Sequence, residues 1–387
     1  MKDFIFENKT KIIFGEDKVE LIGKELRKGN IKKVLLVYGR NSIKKTGLYD
    51  RIINSLKNKN IDFVELSGVK PNPILSKVQE GINIAKDNNV KGILAVGGGS
   101  VIDSSKAIAA GFYHNGDIWE AFEKKSKITK ALPIYTILTL SATGSEMNGN
   151  AVVTNDQTNQ KWDFFSKKVY PQVSIIDPKI QSTLPKKQTI NGAVDTISHV
   201  MEFYFDPTKN TMIQDEISEG IIRTVMKSTE KLLQDENDYE SRAELCWSST
   251  LALNGLLSTG KMGGDWSSHM IEHSVSAIHD ISHGEGLAIV FPAWLKYIQD
   301  DGVEKLDRFA EKIFGIDTGN PKFDAELGIT ALKDWYRKIG QPVSFSEIKI
   351  TKEQLIKIAE NASQIAPFGK MKKLDYKEIL EILNIAY

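Results

Sequence analysis

The chain has 387 residues, more than one hydrophobic core usually supports, so two domains are expected. Its composition is 41% hydrophobic and 26% charged with a formal net charge of +1, which fits a soluble protein and argues against nucleic acid or an anionic membrane as the main partner. The single cysteine, Cys246, excludes a disulfide framework and a thiolate metal cluster.

Residues 1–11 mix charged and apolar side chains without the apolar run of a signal peptide. No run in the chain approaches the roughly 20 apolar residues that span a bilayer, so a cytoplasmic protein is expected. From residue 31 to about 178, short apolar runs alternate with helix-like stretches. Val34-Leu35-Leu36-Val37-Tyr38 is an aliphatic run that reads as a buried parallel strand. Residues 48–57 have apolar side chains at helical spacing. Residues 61–66 form a second strand, 74–88 a second helix and 92–96 a third strand. A helix over 101–111 and a strand over 132–137 follow. Strands alternating with helices predict a parallel, doubly wound α/β sheet over roughly residues 1–180.

In such sheets ligands bind beyond the carboxyl ends of the strands, which singles out two turns. Gly97-Gly98-Gly99-Ser100 joins the third strand to a helix. Three glycines let a diphosphate approach the backbone, and the first amides of the helix supply donors. The same turn also reads as a plain tight turn, and it is not the G-x-G-x-x-G fingerprint. Asp103, on the first turn of the helix, is placed to cap it or to reach a cofactor. The second turn, Gly39-Arg40-Asn41-Ser42, carries no Asp or Glu to bind ribose hydroxyls and is followed by Lys44 and Lys45. That set favours a phosphorylated ribose, hence NADP(H), with NAD(H) possible; the alternative is a solvated basic loop. Thr143, within the polar segment that begins at Ser141, and Thr139, just before it, are candidates for the wall of a cofactor cleft. Lys161 completes the candidate cofactor contacts.

After Asp177-Pro178 the β-branched runs stop. Pro185 stands just inside a helix start. Stretches at 213–233, 239–257, 264–277, 286–298, 303–314, 324–339, 351–361 and 376–385 all read as helices. An all-helical second domain over residues 181–387 is expected.

That domain holds the densest chemistry. Four of the six histidines lie between His269 and His283, and a fifth is His199. Asp195 and His199 stand four apart on one helix and share a face; His269 and His273 repeat the spacing on another. Gly284 and Gly286 let the chain turn closely around His283. Asp195, His199, His269 and His283 are the proposed ligands of one divalent metal. Oxygen and nitrogen donors suit Zn²⁺ or Fe²⁺. His273 and His279 exceed what a metal needs and read as second-layer, core or surface residues.

At this point the residues carry a resemblance. Gly97-Gly98-Gly99-Ser100-Val101-Ile102-Asp103, Thr143-Gly144-Ser145-Glu146, Gly192-x-x-Asp195-x-x-x-His199-x-x-Glu202 and His269-x3-His273-x9-His283-Gly284 occur in the order of the iron-containing (group III) alcohol dehydrogenases. The similarity runs nearly the whole chain, down to Pro367-Phe368-Gly369. It is nearest to the butanol dehydrogenase and NADPH-dependent broad-range aldehyde reductase branch, with Arg40-Asn41 where relatives of that branch have glycines. The resemblance implies a dehydroquinate-synthase-like fold, with an α/β nucleotide domain, a helical metal domain and a homodimer. It implies that Asp195, His199, His269 and His283 hold Fe²⁺ or Zn²⁺, and that His273 lies near the nicotinamide, with a catalytic role as a proton relay. The implied activity is hydride transfer between NADP(H) and a primary alcohol or aldehyde such as butanol or butanal. A glycerol- or 1,2-diol-type dehydrogenase, a dehydroquinate-synthase-like lyase and a non-enzymatic metal-binding protein are the competing readings. The aromatic residues Trp162, Phe164, Phe165 and Trp266 are candidate pocket walls or ordinary packing.

Overall fold

The structure, a computed structural model, describes residues Met1–Tyr387. Its contacts divide the chain into two compact units. The first comprises residues 7–185 and 235–254; the second comprises 1–6, 186–234 and 255–387.

The first unit is built on a six-stranded sheet. Its strands are β1 (Lys11–Phe14), β2 (Lys33–Tyr38), β3 (Asp62–Leu66), β4 (Gly92–Gly97), β5 (Ile134–Leu138) and β8 (Val173–Ile176), in the order β1-β8-β5-β4-β2-β3. Every pairing is parallel. The apolar runs read from the sequence are β2, β3, β4 and β5, of which β3 lies at the edge, while the internal β8 was not among them; β4 and β5 are buried along their whole length. They are buried because helices cover both faces. On one face α1 (Ile22–Lys28), α2 (Ser42–Lys45) and α3 (Leu48–Lys57) pack Leu26, Ile43 and Ile52 against Leu36, Leu94 and Ile137. On the other, α4 (Leu75–Asp87) and α5 (Gly99–Gly111) pack Val78, Ile82, Ile102 and Ile108 against Leu35, Val37 and Ala95.

The strand order reverses between β2 and β4. From β2 the chain moves outward to β3, then crosses back to β4 and continues to β5. The switch point of the sheet therefore lies at the carboxyl ends of β2 and β4, where the turns 39–42 and 97–100 stand. A two-stranded antiparallel hairpin, β6 (Asn150–Asn155) and β7 (Gln160–Phe165), completes the unit with α6 (Trp119–Phe122). Phe164 is core, and the Trp162 ring stacks on Trp119 at 5.6 Å between centroids. These two aromatics are packing residues.

The second unit is helical: α7 (Lys186–Tyr204), α8 (Met212–Gln234), α10 (Ser267–His279), α11 (His283–Tyr297), α12 (Val303–Phe309), α13 (Pro321–Lys338), α14 (Lys352–Ala362) and α15 (Tyr376–Ile385). Between α8 and α10 in sequence, α9 (Tyr239–Ala252) belongs to the first unit. Its Cys246 enters the core of the sheet, and its Trp247 meets Phe14 edge to face. The expected boundary near residue 180 thus shifts to 185 and misses one excursion. Residues 1–6 also join the helical unit, through the Lys2 amide on the Gly260 carbonyl. No helix is long and apolar enough to cross a membrane.

Within the helical unit α7 is the element that positions the site. Every residue from Asn191 to Tyr204 is buried, including Asp195, Ser198, His199 and Glu202. Polar groups buried on a helix surrounded on all sides need partners or ligands to offset their lost hydration.

Candidate metal centre and nucleotide turns

Three helices bring the candidate metal ligands together. Asp195 and His199 come from α7, His269 from the first turn of α10, and His283 from the first residue of α11. The ligand atoms of Asp195, His199 and His269 lie within 4.8 Å of one another. His283 joins them, with Nε2 3.5 Å from Asp195 Oδ1. The His199 and His269 rings stand 4.7 Å apart between centroids, and those of His269 and His283 5.3 Å. His269 Nε2 and His199 Nδ1 are buried without a hydrogen-bond partner. Burial, with His269 and His283 beside it, pushes the His199 pKa well down, so its imidazole is neutral. Three imidazoles and one carboxylate drawn together, with buried ring nitrogens of His199 and His269 left unsatisfied, are what a nitrogen- and oxygen-loving divalent cation requires. The donor set fits Fe²⁺ or Zn²⁺.

Two carboxylates to which the sequence reading gave no role complete the arrangement. Glu202 and Glu272 are both fully buried. Glu202 Oε1 lies 2.7 Å from His269 Nδ1 and also accepts the His269 amide, while Oε2 accepts the Trp266 amide. Glu272 Oε2 pairs with His283 Nδ1, and Oε1 accepts the Ser276 hydroxyl. In both histidines the δ nitrogen is held by a carboxylate, an arrangement in which the ε nitrogen is the one that could face a metal. The glycines beside His283 serve this packing. A Cβ on Gly284 would meet the Asn191 carbonyl oxygen at 2.2 Å, and one on Gly286 would meet Glu272 Oε1 at 2.7 Å.

His273 is buried, with its ring 5.5 Å from that of His283 and 6.5 Å from that of His269. It groups with Glu272 and His283 rather than with Asp195 and His199. His279 is half-buried at the end of α10, and burial lowers its pKa. Trp266 packs edge to face against His269, with centroids 5.2 Å apart. Its backbone is left-handed, at φ 69°, and its indole donates to the Gly263 carbonyl at 2.6 Å. A bulky residue in that conformation is strained unless neighbours hold it.

In the α/β unit the glycine turn is tight for internal reasons as well. None of its glycines has positive φ. A Cβ on Gly97 would collide with Val101 at 2.4 Å, and one on Gly99 with Thr143 at 2.5 Å. Ser100 is half-buried on the first turn of α5. Thr139 and Thr143 stand half-buried beyond β5, with the Thr139 amide on the Gly97 carbonyl.

Asp103 departs from expectation. It neither caps α5 nor stands exposed: Oδ1 accepts the Ser145 hydroxyl at 2.5 Å and Oδ2 the Val152 amide at 3.0 Å. Its carboxylate binds the unit's own backbone. Lys161 is also buried, donating to Asn72 Oδ1 at 3.0 Å. In the other turn Arg40, Asn41, Ser42 and Lys45 are exposed and Gly39 is half-buried. Lys44 is drawn aside by a carboxylate from the neighbouring strand. Glu65, on β3, accepts the Tyr38 and Tyr49 hydroxyls at 2.5 and 2.6 Å and lies 3.9 Å from Lys44 Nζ. Burial pushes the Glu65 carboxyl up, but the two hydroxyls and Lys44 outweigh it and hold it below its ordinary value.

Comparison with known proteins adds independent information. The family model described as iron-containing alcohol dehydrogenase matches residues 9–178, and that of its C-terminal part matches residues 189–387. The probable NADH-dependent butanol dehydrogenase 1 of Bacillus subtilis is 44% identical over 99% of both chains. The NADPH-dependent aldehyde reductase YqhD of Escherichia coli is 35% identical over 90% of this chain and 89% of that one. The crystal structure of the NADH-dependent butanol dehydrogenase A of Thermotoga maritima superposes with a TM-score of 0.97 at 50% identity, covering 100% of this chain and 99% of the other.

Proposed function

The chain belongs to the iron-containing alcohol dehydrogenase family, and on that premise we propose that it interconverts a primary alcohol and its aldehyde, of the butanol and butanal class, with a nicotinamide dinucleotide. The observation that carries this reading is the convergence of Asp195, His199, His269 and His283, with buried ring nitrogens left unsatisfied. A divalent cation held there supplies Lewis acidity to an alcohol or carbonyl oxygen. The nicotinamide supplies or accepts the hydride. The chain's own residues do the positioning. Asp195 and the three imidazoles bind the cation, and Glu202 and Glu272 orient two of the imidazoles. His273 is the residue we assign to carry the proton. A lyase of the same architecture would show no net consumption of nicotinamide with an aldehyde.

We place the nucleotide at the switch point of the sheet. The turns 39–42 and 97–100 would hold it, with Lys45, Thr139, Thr143 and Lys161 as further contacts. Exposed Arg40 and Lys45 favour the 2′-phosphate of NADP(H). A second reading, NAD(H), is favoured by Glu65, which compensates Lys44, and by the NADH-dependent naming of the relatives above. We read the assembly as a homodimer, checked by sedimentation.

One experiment tests the whole. Protein of measured metal content is assayed on butanal, other aldehydes and diols with both cofactors, beside His269→Ala and Asp195→Ala. About one divalent ion per chain, lost in both variants, and NAD(P)H-dependent reduction of butanal are expected. Stoichiometric metal retained in both variants would sink the ligand assignment. A clear preference for NADH would settle the turn against NADP(H).

A further inference from the structure

The two buried carboxylates share a pattern. Each sits on one ligand-bearing helix and holds the histidine of the next. Glu202 is on α7 with Asp195 and His199, and its oxygen takes His269 of α10. Glu272 is on α10 with His269, and its oxygen takes His283 of α11. No helix orients its own histidine through either carboxylate. We propose that Glu202 and Glu272 are positioning residues that thread α7, α10 and α11 into one metal site. By taking the Nδ1–H of His269 and of His283, and so turning each Nε2 toward the shared point, they set the site's affinity. The proposal rests on the metal reading above and deepens it.

The two clamps are not equivalent, and the difference supplies the test. Glu202 accepts from three N–H groups: the His269 ring, the His269 amide and the Trp266 amide. A glutamine there would set its own NH₂ against one of those donors, so Glu202→Gln disturbs the start of α10 as well as the ring. Glu272 accepts from His283 Nδ1 and from a hydroxyl, that of Ser276. A hydroxyl can also accept. In Glu272→Gln the amide oxygen takes His283 Nδ1–H and the NH₂ donates to Ser276 Oγ. The packing against Gly286 is kept and only the charge is lost. A neutral acceptor makes the imidazole a poorer donor to a cation. Ser276→Ala gives the complementary change: the charge stays and Oε1 loses the hydroxyl that fixes it.

The measurement is Zn²⁺ affinity by competition with a chromophoric chelator, together with the melting temperature of the metal-free protein and the visible spectrum of the Co²⁺ form. Glu272→Gln is expected to melt with wild type when metal-free, to lose about 10–100-fold in Zn²⁺ affinity and to shift the Co²⁺ bands. Ser276→Ala is expected to lose less, in the same direction. Wild-type protein that binds neither Zn²⁺ nor Co²⁺ would overturn the metal reading itself. Wild type that binds tightly, with both variants within about twofold of it, would overturn the clamps and leave the metal reading intact. A variant whose metal-free form melts lower while its affinity is unchanged would make the carboxylate merely structural.

Discussion

Replacing Lys106 with methionine tests the network behind the glycine turn. Lys106 is wholly buried on α5, and its ammonium has three N–H bonds and three acceptors: Ser145 Oγ at 2.8 Å, Asn148 Oδ1 at 2.9 Å and the Asn150 carbonyl at 2.7 Å. Burial pushes its pKa down to about 8, with Asp103 and Glu146 opposing, so it is a cation at neutral pH. Ser145 passes the link on to Asp103, whose carboxyl is pushed up by burial and drawn down by the Lys106 charge. Methionine fills a similar volume, donates nothing and leaves the carboxylate without its cation. Removing one partner of a buried charged pair costs about 3–5 kcal/mol. In a folding unit of about 200 residues each kcal/mol moves Tm by about 2–4 °C, so a fall of roughly 6–20 °C is expected. Scanning calorimetry on metal-free wild type and Lys106→Met reads it. Adding Asp103→Asn should recover part of the loss, because no charge is then left unpaired. A fall of less than about 2 °C, or two substitutions that simply add, would refute the reasoning.

Three further outcomes follow from single contacts. Gly284→Ala should cost about 1–3 kcal/mol and lower the metal content, because its Cβ meets the Asn191 carbonyl oxygen at 2.2 Å beside His283; melting and elemental analysis check both. His273→Gln should keep its metal and lose about 10²-fold in turnover; wild-type turnover with an unchanged pH profile would end its role as proton carrier. Glu25→Gln addresses pH. Burial pushes the Glu25 carboxyl up, but Lys11 and Lys28, each 2.8 Å away, outweigh it and hold it below its ordinary 4.5. A carboxyl held low in the fold stabilises above the unfolded value and loses that contribution as pH falls through the folded one. The variant should be less stable than wild type by about 1 kcal/mol at pH 7, with the gap closing below pH about 4; a constant gap in urea unfolding across that range would contradict the assignment.

What the sequence made legible divides by the range of the signal. The clustering of the candidate ligands was legible because helical spacing is local: Asp195 and His199 share a face whatever surrounds them. The buried strands were legible because parallel strands covered on both faces need continuous apolar runs, as in residues 34–38 and 92–96. The edge strand β1 has only Ile12 and Ile13 between Lys11 and Phe14, and the largely buried hairpin β6–β7 mixes polar with apolar residues, so neither stood out. The excursion of α9 was invisible for another reason: its helical pattern says that it buries a face, not against which core.

The carboxylates show the limit most directly. Glu202 and His269 are 67 positions apart, and no periodicity relates them. Their pairing follows from where α7 and α10 cross. A signal was nonetheless present. Glu202 lies seven positions after Asp195 and three after His199, two helical turns along the same helix, and Glu272 lies three after His269. An acidic residue on a helix of otherwise buried positions is costly unless something buried needs it. Had the burial of α7 been inferred from its length and its small residues, Glu202 would have demanded a buried hydrogen-bond donor, and a metal-ligating histidine with a spare Nδ1–H is the donor that the same motifs supply. The capping role expected of Asp103 fails for the same reason. An acid on the first turn of a helix suggests a cap or a ligand contact when only the helix is known. The loop that returns from β5 with Ser145, and the hairpin that brings the Val152 amide, turn it into an internal anchor. In both places the residue type announced a need for a partner, and only the crossing of distant segments decided which partner met it.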